Sequence, residues 1–283
     1  MNDDLKKAIL TTGDLPPMPV VATEVLQLVE SGKADAAEIS RAISSDAAVS
    51  ARVLKISNST FYGCRRKIQT LAEAVVVLGH NTLKGLAVAA SLKEIYKPAG
   101  LIENMLWEHS FGAALAAKII AGHTPQVSAD EAFLAGLFHD LGKIIMNLRE
   151  KEKFQQVIER CYNEMLMFEE VEKTVFPYTH AELGAYVLEK WNLPEDLITA
   201  VMLHHTFAFP DPENIYQQNM TAITSLADLI CVKLGIGTRA AMEELDLNRS
   251  QAAQILELDV NRLNLITESV AENYMRDKGY FVA

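Results

Sequence analysis

The chain has 283 residues, 49% of them hydrophobic and 22% charged, which is enough apolar material for one large domain or two modest ones. Its net charge of −11 argues against general nucleic-acid binding, because affinity for phosphate backbones comes mostly from Lys and Arg. Cys64, Cys161 and Cys231 are far apart and form no CxxC pair, which argues against a disulfide framework or zinc knuckle and for a reducing compartment.

Helical periodicity runs through nearly all of the sequence and no strand pattern of convincing length occurs, so the expected fold class is all-α. Residues 1–12 form a short, weak helix and lack a signal-peptide pattern. Leu15-Pro-Pro-Met-Pro19 is a stiff extended segment, since each proline fixes φ and biases its predecessor away from helix. An amphipathic helix follows over 20–31, closed by Gly32, and then two short helices over 36–44 and 47–57 joined by a tight Ser-Asp turn. That pair superficially resembles a helix-turn-helix, but the charge argument weighs against DNA. The loop 58–68 ends in Arg65, Arg66 and Lys67 and reads as solvated. Helices over 70–78 and 82–95 flank Gly79-His80, which places His80 in a surface turn.

Lys97-Pro-Ala-Gly100 marks a break between two helical lobes, 1–98 and 99–237, with 238–283 as a C-terminal helical extension. Residues 1–98 hold 12 Lys and Arg against 10 Asp and Glu, and the remainder 14 against 27. A helix over 102–121 carries His109, Gly112, Ala113 and Ala116 on one stripe, small residues that let another helix approach that imidazole. His123, beyond the helix end, reads as a surface residue. Ser128-Ala-Asp-Glu131 has the capping-box pattern and opens a helix carrying Phe138-His139-Asp140-Leu141-Gly142-Lys143. On it Gly136, His139, Asp140 and Lys143 share a stripe, among apolar residues that bury the helix. An imidazole and a carboxylate one residue apart suit iron, manganese or zinc. Burying them uncoordinated costs roughly several kcal/mol. A lone His-Asp pair is more often a hydrogen-bonded pair or a solvated edge than a metal site, so the rest of the chain decides. Further helices are expected over 150–170, from Thr179-His180 to about 191, from Pro194 to His204-His205, over 216–234 carrying Ser225 and Asp228, and over 250–256 and 260–278.

Five of the seven histidines, His109, His139, His180, His204 and His205, join Asp140 and Asp228 as candidate metal ligands. Spread over five helices, they suit a two-metal site bridged by one carboxylate, best Asp140, with ions roughly 3.5–4 Å apart. No GxSxG elbow, Walker loop or Rossmann fingerprint offers a different enzyme class. The order His…His-Asp-x-Gly-Lys…His…His-His…Asp resembles the HD superfamily of metal-dependent phosphohydrolases, especially the HD-GYP branch, which hydrolyses cyclic dinucleotides. In the first lobe, Leu15-Pro-Pro-Met-Pro19, Ile43-Ser-Ser-Asp-Ala-Ala-Val49, Ala51-Arg-Val-Leu-Lys-Ile-Ser-Asn-Ser59, Tyr62-Gly63 and Ala74-Val-Val-Val-Leu-Gly79 are similar to the HDOD family of bacterial regulatory modules. That resemblance spans about 14–212.

The resemblance implies a two-lobed helical bundle holding one or two divalent transition-metal ions, iron first, with manganese, nickel and zinc as alternatives. It implies a signalling module that binds a protein partner, while the scattered cysteines and the lack of an uncharged apolar run of about 18 residues set the expectation of a cytoplasmic chain with no membrane contact. The alternative is a phosphohydrolase acting on a nucleotide messenger such as a cyclic dinucleotide, with Asp140 and Lys143 as catalytic residues and Lys143 neutralising developing charge. Typical HDOD members have lost most HD ligands, whereas this chain keeps nearly all of them. It departs from HD-GYP at Thr206-Phe-Ala-Phe-Pro210, where Gly-Tyr-Pro is missing, and at Met105, where that branch has a further carboxylate.

Overall fold

The first six helices follow from apolar faces and caps that are written locally. In the computed structural model these are α1 (Asp3–Thr11), α2 (Val20–Glu30), α3 (Ala36–Ser44), α4 (Ala47–Ser57), α5 (Leu71–Leu78) and α6 (His80–Leu92). Residues 3–11, 13–64, 66–97, 100–124, 126–164 and 166–281 are described, so Arg65 of the basic loop and Pro98-Ala99 of the lobe break lie outside the described residues. Asp35 and Glu38 form a reciprocal capping box on α3, and Asp46 caps α4 through the amides of Ala48 and Val49. Val25, Ile39, Ile43, Val53, Leu83 and Ala87 form one apolar core among them. His80 is exposed but opens α6 rather than standing in a turn before it, so that helix starts two residues earlier than its periodicity suggests.

The remaining helices are α7 (Leu101–Ala121), α8 (Ala129–Phe138), α9 (Leu141–Arg149), α10 (Lys151–Glu164), α11 (Phe168–Val175), α12 (His180–Lys190), α13 (Glu195–Leu203), α14 (Ile215–Leu234), α15 (Gln251–Ile255) and α16 (Val260–Phe281). The fold is all-α, with no strand among the described residues. None of these helices is long and apolar enough to cross a membrane. Buried α7 packs against α8, α14 and α16 and carries one long apolar core with Trp107, Phe111, Leu115 and Ile120. The C-terminal helix also grips the turn after α4. The fully buried Asp277 accepts from the Thr60 amide at 2.9 Å and its hydroxyl at 2.8 Å, while the Trp107 indole donates to the Phe281 carbonyl at 3.0 Å.

Three local expectations are corrected. The single helix expected to carry the His-Asp pair is two, α8 and α9, with His139 and Asp140 at the junction. The His139 imidazole takes the Gly136 carbonyl at 2.7 Å, the acceptor a continued helix would need for the Asp140 amide. Ser128 stands at the N-cap of α8 without a side-chain bond. The Glu131 carboxylate that would complete that box accepts instead from the Tyr216 hydroxyl at 2.5 Å. Residues 150–170 also divide, into α10 and the start of α11, which turns Glu172 into the interior.

The glycine of the His-Asp-x-Gly-Lys run has a packing reason. A Cβ on Gly142 would lie 2.0 Å from the His180 carbonyl oxygen, so only glycine lets α9 start against the first turn of α12. Gly142→Ala should therefore lower stability by about 1–3 kcal/mol or more, as overpacking against backbone does. Gly279→Ala, on α16 with nothing within 4 Å of its Cβ position, should leave the thermal midpoint unchanged or slightly higher. Equal midpoints for the two variants in thermal melts would refute the packing role.

Candidate metal centre

The seven ligands expected from the sequence converge. His109 comes from α7, His139 and Asp140 from the α8–α9 junction, His180 from the start of α12, His204 and His205 from the end of α13, and Asp228 from α14. Their donor atoms form two groups, His109–His139–Asp228 and His180–His204–His205, each with all atoms within 4.8 Å of one another. All are buried except His205, which is half-buried.

Hydrogen bonding fixes which ring nitrogen faces inward. Nδ1 of His109 meets the Ile236 carbonyl at 2.9 Å, Nδ1 of His139 the Gly136 carbonyl at 2.7 Å, and Nδ1 of His204 the Val201 carbonyl at 2.6 Å. Nδ1 of His180 meets a Glu172 carboxylate oxygen at 2.7 Å. Carbonyls and carboxylates only accept, so each Nδ1 carries a proton and each ring turns Nε2 to the centre, where that of His109 also meets the Asp228 carboxylate at 2.9 Å. There Nε2 of His180 lies 3.4 Å from Nε2 of His204 and 3.1 Å from that of His205. Facing lone pairs repel without a proton or cation between them. Nε2 of His139 and Oδ1 of Asp140 are buried with no hydrogen-bond partner, a costly state for polar atoms. This donor set fits a borderline divalent transition metal.

Asp140 stands between the groups. Its Oδ2 is 3.4 Å from Nε2 of His139 and 3.6 Å from that of His109, and its Oδ1 is 3.4 Å from Nε2 of His180. Asp228 reaches one group alone, with Oδ1 2.9 Å from His109 and 3.8 Å from His139. Lys143 donates to Asp140 Oδ2 at 2.8 Å and lies 4.5 Å over the Phe168 ring.

Burial opposes charge on Asp140, yet His139 and Lys143 outweigh it and hold the carboxyl well below its usual range. Burial, then the adjoining imidazoles, depresses His204 well below an ordinary histidine, and burial with His180 pushes His205 down to about 4. Both rings are therefore neutral donors near pH 7. His139 moves the other way: the Asp140 and Asp228 carboxylates overcome burial and raise it.

Two supports have no signal in a single sequence. Glu172 is fully buried and accepts from both the amide of His180, at 2.9 Å, and its ring, a carboxylate–histidine pair of the kind that orients metal ligands. In the sequence it is one Glu among many on a polar helix. Gly237, at φ +64°, brings the chain after α14 onto α7, where a Cβ would lie 2.3 Å from the His109 amide nitrogen. That contact sets the Ile236 carbonyl on the His109 ring. A cavity of about 350 Å³ opens onto the centre, with His109, Asp140, Lys143 and Asp228 at its polar end and largely apolar walls. His80 and His123 stand apart from the centre, His80 exposed and His123 beside Arg262.

Residues 15–207 match the HDOD domain family model, about two thirds of the chain. An uncharacterized protein of Treponema pallidum (strain Nichols) is 24% identical over 193 residues, which are 68% of this chain but only 38% of that protein's length. The fold is similar to that of an HDOD domain protein of unknown function from Geobacter sulfurreducens, at TM-score 0.83 and 22% identity, covering 99% of this chain and 97% of the other. It is also similar to that of a candidate phosphohydrolase from Shewanella amazonensis SB2B, at TM-score 0.73 and 21% identity over 99% and 97% of the two chains.

Proposed function

We propose that this chain, which belongs to the HDOD domain family, is a regulatory module whose second lobe holds two divalent transition-metal ions, and that it signals by binding a protein partner. One ion would be held by His109, His139 and Asp228, the other by His180, His204 and His205, with Asp140 shared. The observation carrying this reading is the set of four imidazoles whose Nδ1 protons are fixed outward, so that four Nε2 atoms and the unpartnered Asp140 Oδ1 face one centre. Iron is the first expectation, with manganese, nickel and zinc as alternatives, because imidazole suits all four. Elemental analysis after anaerobic reconstitution should find one to two ions per chain. Less than about 0.2 ion per chain with every metal would overturn the reading.

A second reading, metal-dependent phosphoester hydrolysis, is favoured by the cavity that ends on His109, Asp140, Lys143 and Asp228. Ions held there would supply Lewis acidity toward phosphoryl oxygens. The chain's own part is to place the Lys143 ammonium, anchored by Asp140 and Phe168, beside the developing negative charge. The apolar walls would keep water from that charge and so strengthen the interaction.

A further inference from the structure

The cavity over the metal centre is asymmetric in two ways. Its lining includes His109, Asp140 and Asp228 but neither His180 nor His204, so a ligand entering it meets one ligand group face-on. Its charged side chains also lie at different levels. Lys143 is 7% exposed, at the inner end beside Asp140, whereas Arg239 is exposed, on the segment that follows Gly237. Between them the walls are apolar, formed by residues such as Met105, Leu106, Ile158 and Val232.

Arg239 makes no ion pair among the described residues, although the chain carries 37 Asp and Glu against 26 Lys and Arg. Its guanidinium carbon sits 5.8 Å over the Tyr162 ring, and its amide donates to the Tyr162 hydroxyl at 3.4 Å. The ring thus gives the cation a platform without neutralising it. An unpaired, supported guanidinium suits an oxyanion, because its fork matches a pair of carboxylate or phosphate oxygens. Arg239 lies beyond the residues that match the family model, so this wall belongs to the chain's own tail.

We propose that the cavity takes a small phosphate ester with a second anionic group, carboxylate or phosphate, at the far end of a short apolar body. Arg239, supported by Tyr162, selects that second group. The inference rests on the metal reading above for the phosphoryl end and on Arg239 alone for the other. A volume of about 350 Å³ lies near the low end of the roughly 300–1,000 Å³ spanned by small-molecule sites. It admits one ring with a group at each end.

The test uses two non-hydrolysable probes, phenylphosphonate and 4-phosphonobenzoate, which differ only in the far carboxylate. Each is titrated calorimetrically into the full-length, metal-reconstituted protein, with metal content measured on the same samples. The carboxylated probe should bind about five- to tenfold more tightly, and Arg239→Ala should erase that difference while leaving phenylphosphonate affinity and metal content as they were. Arg239→Lys should retain part of it. Ile158→Trp, which fills the cavity from α10, should abolish binding of both probes without loss of metal. Equal affinities, or a difference that persists in Arg239→Ala, would overturn the assignment while leaving the metal centre standing. Binding of neither probe by metal-replete protein would likewise overturn the assignment alone, whereas samples that hold no metal after reconstitution would overturn the metal reading.

Discussion

Asp140→Ala protein is expected to emerge from reconstitution with almost no bound metal, whereas Asp228→Ala should retain about half the parent's content. The contrast follows from reach. Asp140 places Oδ2 3.4 Å from His139 and Oδ1 3.4 Å from His180, so its loss strikes both ligand groups. Asp228 approaches His109 and His139 but does not belong to the His180–His204–His205 group, so its loss leaves three imidazoles able to hold an ion. Altering even the outer residues around metal ligands costs about 10–100-fold in affinity, and removal of a shared ligand should exceed that. Asp140→Ala also strands the buried Lys143 ammonium, and breaking a buried ion pair costs about 3–5 kcal/mol. Asp140→Asn keeps the shape and an acceptor for Lys143 and so separates lost metal from lost fold. Elemental analysis beside circular dichroism reads both. Equal metal content in Asp140→Ala and Asp228→Ala would remove the bridging role from Asp140.

How far the centre was legible in the sequence depends on what kind of residue builds it. Helix periodicity and caps are local, so α3 and α4 have the bounds their sequence suggests, and the Thr179–Glu182 box opens α12 as expected. The seven candidate ligands were visible because histidine and buried aspartate are rare on apolar helices. What escaped depends on contacts remote along the chain. The break at His139–Asp140 arises because an imidazole competes for the Gly136 carbonyl, which no propensity records. Glu172 carries no mark in the sequence and gains its role only where α11 turns it beneath His180. The role of Gly237 appears only when the end of α14 lies against α7. Such residues set ring orientation and cavity shape, so which side chains converge was readable in advance but the means of aiming them was not.

Lys143→Ala gives the sharpest separation of enzyme from module. In the metal-loaded protein the variant should keep its metal, because Nζ contacts Asp140 rather than standing in either ligand group. The ammonium is nonetheless held at the inner end of the cavity by Asp140 on one side and the Phe168 ring, 4.5 Å away, on the other. A phosphoryl group entering that end meets this positive charge, fixed in place and largely shielded from water. Preorganised charge of this kind is worth about 10²-fold or more in turnover when removed, because water cannot replace it without reorganising. Hydrolysis of a model phosphodiester and of cyclic dinucleotides, with iron or manganese supplied anaerobically, should therefore fall about 100-fold in Lys143→Ala at unchanged metal content. Lys143→Arg should recover part of the loss, since it restores the charge but not the compact ammonium geometry. Turnover undiminished in the alanine variant would strip Lys143 of this role. A metal-replete parent that turns over none of these substrates would instead favour the module, because the same buried lysine then serves only to balance Asp140.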